Sequence, residues 1–575
     1  MFIEIIFIIS LLNSTLSYPY FPECSNLTVN STILNTLNGK IKGACYDVTV
    51  NYGSKNPETS QVLTWLSIPY AQPPVGSLRF KEPLPIKSWS HVVDGTQWPN
   101  MCIQPGLRTK KMSEDCLYLN LFVPYNTNTK NSSNKYPIYL HVHGGSLRKG
   151  SSVDDRLEPS TLVALSNVIV VTINYRLGPL GFLYINGTES RGNQGLLDQN
   201  LALKWVYENA HLFGGDNTQI TIGGQSSGSL SIGYHLIYKP SWPFFKNAIL
   251  QSGDPLEGSS KKFLSTTDST KVSFKIGNYV RCNSTANNEL FNCLQTADVN
   301  KLTDAYTEYN IYPPLVSNGI DFSDDPENLF KSGDFKRGNI LTGSNTKERA
   351  YFIQSDLESL EKKSLGNLTF VRTLLKSYFN DYPIERHQPT IKTIEEFLNN
   401  VVDLYLTKDE QNNKTGEFLD TYIQILTDAR YKCPAYELAE IFSNFNQTAY
   451  VYLYGHHLST SEFPKKYEAV HGDELAMIFA EPLSVKIPPL ITTNPWSSTR
   501  HNYSVSERLI SEKIATYWTN FVKHDNPNGL NEATQDWSRF KINSSLRKIE
   551  YLNELPFENL NYDKINDAKC AFFQI

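Results

Sequence analysis

The stretch "QITIGGQSSGS", residues 219–229, decides how the chain is read. Its first half is a short β-branched strand signal. The residues that follow, "SGSLSIGYHLIY", place Leu230, Tyr234 and Ile237 on one helical face. Between them lies Gly224-Gln225-Ser226-Ser227-Gly228, a G-x-S-x-G spacing. A glycine-framed serine between strand and helix is the setting of a nucleophile elbow, a sharp turn that holds one hydroxyl clear of a sheet. Glycines permit such a turn because they bring no Cβ into it. Of the clustered serines, only Ser226 has glycine two residues before and two residues after it. Ser227 and Ser229 read as the start of the helix. An ordinary Gly/Ser turn is the competing reading, and spacing alone leaves it open.

Moving outward, strand and helix signals alternate. "YPIYLHVH" (136–143), "NVIVVTINY" (167–175), "NAILQSG", "GNILTGSN" and "AYVYLYGH" read as strands, and "GLLDQNLALKWVYENA" (195–210) as a helix. Such alternation predicts an α/β domain whose mostly parallel central sheet is flanked by helices on both faces. No composition shift marks a second domain. The polar segments 125–135 and 408–417 read as surface loops.

A serine hydroxyl needs a base. An elbow fold places an acid and then a histidine later in the chain. That order leaves His387, His456, His457, His471, His501 and His524. His471, in "AVHGDELAMIF", stands out beside Gly472 in a loop after a strand. Glu348 follows the strand-like "GNILTGSN", where active sites of such sheets collect. Asp321, Asp324 and Asp325 stay open as alternatives on spacing. "HVHGGSLRKG" (141–150) also follows a strand, and the N–H groups of Gly145, Ser146 and Ser227 would form an oxyanion hole.

The chain of 575 residues is 40% apolar and 12% aromatic, enough for a large core, and its net charge of -5 is mild. Nothing in it calls for nucleic acid or an anionic membrane as a partner. The apolar run Phe2–Leu12 is short for a bilayer span and precedes small residues, so residues 1–17 read as a signal peptide and 18–575 as the mature domain. Eight cysteines and sequons at Asn26, Asn30, Asn131, Asn186, Asn283, Asn367, Asn413, Asn446, Asn502 and Asn543 fit a secreted glycoprotein. No membrane anchor is expected from "AKCAFFQI" at the end. Nothing sets an oligomeric state.

At this point the sequence resembles the type-B carboxylesterase and cholinesterase family of the α/β-hydrolase fold, from about Leu37 to Phe572. "FGGDNTQITIGGQSSG" (213–228) resembles the family's serine signature and "SEDCLYLN" (113–120) its second signature. "IPYAQPPVGSLRF" (68–80) and "NQGLLDQNLALKWV" (193–206) are also similar. The resemblance implies Ser226 as nucleophile, Glu348 as acid and His471 as base, with Gly145, Ser146 and Ser227 at the oxyanion hole. It implies disulfides Cys102–Cys116, Cys282–Cys293 and Cys433–Cys570, leaving Cys24 and Cys45 to pair with each other. It also implies structural ion pairs Arg79–Glu114 and Arg176–Asp198. The substrate is expected to be a small-molecule ester, with no cofactor and no metal.

Departures from the family bear on substrate. Gln225 stands where the family usually has Glu, which removes a negative charge beside the serine. Ser146 replaces the last glycine of the hole motif, and Arg148 and Lys149 add positive charge to that loop. Gly106 lies nearest the position of the tryptophan that cholinesterases stack on a cation. Loss of that platform forfeits ~0.5–2 kcal/mol of cation binding. Neutral or apolar esters are therefore expected over cationic ones. The alternatives are a cholinesterase proper, or a catalytically weak, cholinesterase-like binding or adhesion protein.

Overall fold

A computed structural model of the protein describes residues 33–106, 111–125, 135–257, 263–380, 384, 388–485, 502–530, 537–541, 548–561 and 567–573. The expected signal peptide, Cys24, His387, His501, the sequons at Asn26, Asn30, Asn131 and Asn543, and most of the 125–135 loop lie outside these residues.

Residues along a strand alternate between the two faces of a sheet. In "IYLHV" and "IVVTI" both alternating sets are apolar or neutral, so both faces must be covered. The strands concerned are β1 (Ala44–Val50), β2 (Glu58–Pro69), β3 (Tyr118–Tyr125), β4 (Tyr136–Val142), β5 (Ile169–Ile173) and β6 (Gly215–Gln225). They continue with β7 (Asn247–Gln251), β8 (Ile340–Asn345), β9 (Ala449–Tyr454), β10 (Lys548–Leu552) and β11 (Glu558–Asn561). Together they form an 11-stranded sheet in the order β11-β10-β9-β8-β7-β6-β4-β5-β3-β2-β1. Pairings from β5 through β4, β6, β7, β8 and β9 to β10 are parallel. The flanking strands are antiparallel.

Helices α1 (Gln194–Asn209), α2 (Ser227–Ile237), α3 (Val299–Glu308), α4 (Cys433–Asn444) and α5 (Val505–His524) supply most of the cover discussed below. On one face Leu140, Val142, Ile222 and Val451 pack with Leu203, Leu230 and Leu438 of α1, α2 and α4. On the other, Tyr139, Val170, Ile249 and Leu341 pack with Ile510, Ile514 and Trp518 of α5. Each such side chain contributes ~1.5–3 kcal/mol when removed from water. The period-two pattern of the strands thus fixes two cores, one on each side of the sheet.

Two segments differ from the sequence expectation. β6 begins at Gly215, ahead of "QITIG", because Gly215 pairs with Tyr136 through an irregularity before Ile220. Backbone pairing across a bulge leaves no apolar pattern to read. The 408–417 stretch is not wholly loop: Lys408–Gln411 forms one helical turn. Thr407 and Glu410 close a reciprocal capping box there, satisfying amides that would otherwise be orphaned.

Three disulfides bridge Cys102–Cys116, Cys282–Cys293 and Cys433–Cys570. Cys45 is also disulfide-bonded, while Cys24 lies outside the described residues. Asn186, Asn283, Asn367, Asn413, Asn446 and Asn502 are all exposed. Among the described residues no helix is long and apolar enough to cross a membrane.

Candidate active site

The glycine frame around Ser226 is a packing requirement. A Cβ on Gly224 would lie 2.6 Å from the Gly228 carbonyl carbon, and one on Gly228 would lie 2.1 Å from the Val142 oxygen. Only glycine lets the start of α2 come this close to the ends of β4 and β6. Ser226 takes φ 59 and ψ -125. A left-handed backbone costs an L-residue roughly 1–2 kcal/mol. Its N–H donates to the Gln251 carbonyl at 2.8 Å, which fixes the turn against β7.

Glu348 sits just beyond β8 and is sealed from solvent. Its Oε1 accepts the Asn345 backbone N–H at 2.7 Å, and its Oε2 meets Nδ1 of His471 at 2.5 Å. The His471 loop follows β9 and is tied to the acid turn at two further places. The Lys347 N–H donates to the Ala469 carbonyl at 2.9 Å. Asn345 Nδ2 donates to the Val470 carbonyl and to Glu474 Oε2, both at 2.6 Å. Phe352 and Tyr431 flank the imidazole, with ring centroids 4.9 and 5.3 Å away.

Of the alternative acids, Asp321 is engaged by Arg191 and Asn193, and Asp324 bonds Asn328. Of the described histidines, His471 alone contacts Glu348. His457 instead pairs its Nδ1 with the Glu468 carbonyl. With Nδ1–H given to Glu348, Nε2 of His471 keeps its lone pair. The amide nitrogen of Gln225 lies 3.3 Å from it.

The glycine loop after β4 reaches the elbow from the other side. A Cβ at Gly145 would overlap the Lys149 carbonyl oxygen at 1.9 Å. Ser146 and Leu147 take φ 60 and 55. The Leu147 N–H donates to Ser227 Oγ at 3.1 Å, so loop and elbow move as one unit. Gln104 clamps the far end, donating to the Gly150 carbonyl and accepting its N–H, both at 2.9 Å. Among the described residues, the N–H groups of Gly145, Ser146 and Ser227 have no internal acceptor. They are free for an oxyanion, the use expected from the sequence.

Burial sets the local charges. His141 and His143 are pushed down to about 3 and 4 by burial and remain neutral. Burial and the Glu348 charge push Glu474 up, and Asp473 rises in the same direction to about 7. Ser226, Gln225 and His471 open into a cavity of about 830 Å³, whose wall carries Gly106, Arg148 and Lys149.

A carboxylesterase family model matches residues 30–573. The chain belongs to the carboxylesterase family. It is 30% identical to an acetylcholinesterase of Danio rerio, over 94% of this chain and 87% of that protein. It is 31% identical to acetylcholinesterases of Electrophorus electricus and Bungarus fasciatus, over 84% and 89% of this chain and 80% and 82% of theirs. The sheet order and elbow are those of the α/β-hydrolase fold. In this carboxylesterase-family frame the ion pairs are structural. Arg79 grips Glu114 with two bonds, and the buried Arg176 grips Asp198 at 2.7 and 2.8 Å.

Sequence reading missed Asn345, Gln104 and the aromatic flank of His471. Asn345 sits in the "GSN" of a strand end, and nothing in a linear pattern distinguishes a brace from a strand residue. The two ends of each contact are far apart in the chain.

Proposed function

We propose that this carboxylesterase-family protein is a secreted serine hydrolase of neutral or apolar carboxylic esters. The observation that carries this reading is the direct bond between His471 Nδ1 and Glu348 at the strand ends that also present Ser226. Ser226 Oγ attacks the ester carbonyl as His471 Nε2 takes its proton. Glu348 holds the imidazole tautomer and stabilises its cation. The tetrahedral oxyanion is received by the N–H groups of Gly145, Ser146 and Ser227. The imidazolium returns the proton to the leaving alcohol. Water, activated by the same base, then releases the acyl group from Ser226.

Secretion is supported by the disulfides, by the exposed sequon asparagines and by the apolar N-terminal run. The ranking of uncharged over cationic esters is supported by the cavity wall, where Gly106 and Gln225 bring no charge or tryptophan, Arg148 and Lys149 are cationic, and the lining carboxylate Asp154 is gripped by Arg156.

The test is hydrolysis of a neutral aryl ester by purified protein and by Ser226→Ala. Equal background rates for the two would sink the reading. The names of the relatives favour a second reading, an acetylcholinesterase. A strong preference for acetylthiocholine over an uncharged thioester of equal size would establish it instead.

A further inference from the structure

The loop that supplies two of the oxyanion donors carries two cations three and four residues past Gly145. Arg148 and Lys149 both line the cavity that holds Ser226. Arg148 is half-buried, and its guanidinium donates to Thr307 Oγ1 of α3 at 3.2 Å. Among the described residues neither cation has a carboxylate partner. The backbone beneath them is fixed. The N–H groups of Arg148 and Lys149 donate to the Gly145 carbonyl at 3.1 and 3.0 Å, and Gln104 clamps Gly150. Asp154, a carboxylate on the same wall, is gripped by Arg156 at 2.8 and 3.1 Å. His141 and His143 are neutral there. The charge facing the cavity is therefore positive, in a chain whose net charge is -5.

A solvated cation on a mobile surface loop has no such arrangement. Arg148 is held by Thr307 on one edge, leaves other N–H groups open, and sits on the turn that positions the reacting carbonyl. Guanidinium is suited to paired oxygens of carboxylate, phosphate or sulfate. We propose that Arg148, aided by Lys149, is a subsite for an anionic group carried by the ester substrate. This rests on the serine esterase reading above and extends its ranking: cationic esters poorest, neutral ones better, anionic ones best.

The anion can lie on the acyl side or on the alcohol side, and matched probes separate the two. Para-nitrophenyl hemisuccinate and its methyl ester place it on the acyl side. Para-acetoxybenzoate and its methyl ester place it on the alcohol side. Release of the phenol is followed for each. In one pair the anionic member is expected to show the higher kcat/KM, and Arg148→Ala to lower that anionic-to-neutral ratio about tenfold. Arg148→Lys is expected to restore part of it, and Arg148→Glu to invert it. In wild type the anionic advantage is expected to shrink as salt rises from about 0.01 to 1 M, where screening falls from roughly 30 to 3 Å. This measurement does not depend on any variant folding. Ratios near one in both pairs, insensitive to salt and to Arg148→Glu, would overturn the subsite while leaving the esterase reading intact. A wild type inactive on all four esters overturns both.

Discussion

The amide nitrogen of Gln225 stands 3.3 Å from Nε2 of His471, the ring atom that would receive the Ser226 proton. Both side chains are largely buried, at 6% and 7% exposure, where they line the inner end of the cavity. A donor in this position occupies the lone pair the nucleophile needs. On the proposed mechanism, Gln225 competes with Ser226 for the base.

Removing the competitor should release the base. Gln225→Ala is expected to raise the acylation rate on a neutral ester by about two- to tenfold, the worth of one neutral hydrogen bond. Phosphonylation of Ser226 by an organophosphate should accelerate by a similar factor. Gln225→Glu replaces the donor with a negative acceptor and stabilises the imidazolium. The acid limb of its kcat/KM profile should move to higher pH by on the order of one unit. A Gln225→Ala protein slower than wild type in both assays would show that the amide positions the ring rather than occupying it.

Asn345 braces the acid turn to the base loop through its Nδ2 bonds to the Val470 carbonyl and Glu474. Asn345→Ala leaves its backbone N–H on Glu348 and the Lys347 tie to Ala469, but removes the side-chain brace from the His471 loop. A displacement near 1 Å can cost about a hundredfold in rate. The expected result is a fall in kcat of roughly 10- to 100-fold with little change in KM, and a loss of about 1–3 kcal/mol of stability from the polar groups left unpaired. A matching rise in KM with kcat preserved would place Asn345 in substrate binding instead.

How much of this was legible in the chain follows from where each signal resides. The elbow was legible because its steric demand is local: Gly224, Ser226 and Gly228 lie within one turn, and their spacing records the close approach to Val142. The sheet was legible because alternation along "IYLHV" and "IVVTI" records two covered faces. Glu348 and His471 were only ranked by their place after strands, and resemblance to a family singled them out. Their bond spans 123 positions, and no periodicity encodes it. The Gln225 contact spans 246 positions, and for that reason the sequence assigned Gln225 a charge effect but no contact with the base. The capped turn at Lys408–Gln411 was missed although its Thr-x-x-Glu signature was present, because the polar composition around it suits a loop equally well.

The oxyanion loop makes a contrast between neighbouring positions. A Cβ at Gly145 would sit 1.9 Å from the Lys149 carbonyl oxygen, and that residue takes φ 111. Gly145→Ala must therefore reshape the turn and withdraw an N–H. Its kcat is expected to fall by about 10²–10³, the cost of one lost oxyanion donor. Ser146 already tolerates a Cβ at φ 60, so Ser146→Gly keeps its N–H in place. Its kcat should stay within about threefold of wild type, while thermal unfolding shifts by no more than ~1 kcal/mol as relief of the left-handed strain offsets the added freedom of the unfolded chain. A kcat left unchanged by Gly145→Ala would mean that the hole is not built on this loop.

Glu474 adds a pH dependence to stability. It is 1% exposed, its Oε2 takes the Asn345 bond, and its Oε1 has no hydrogen-bond partner. Burial and the nearby Glu348 charge raise its pKa above the ordinary carboxylate value. The folded state therefore holds a proton that the unfolded state has already released. Where the folded state binds more protons, stability falls as pH rises. The loss begins above the unfolded value of about 4.3 and ends once the raised folded value has been passed. Within that window one group contributes at most about 1.4 kcal/mol per pH unit. Glu474→Gln removes the titration and keeps an oxygen for Asn345. Unfolding followed from pH 5 to pH 8 should thus show the variant gaining on wild type as pH increases. Parallel stability curves for the two proteins would mean that Glu474 is ionised throughout the range.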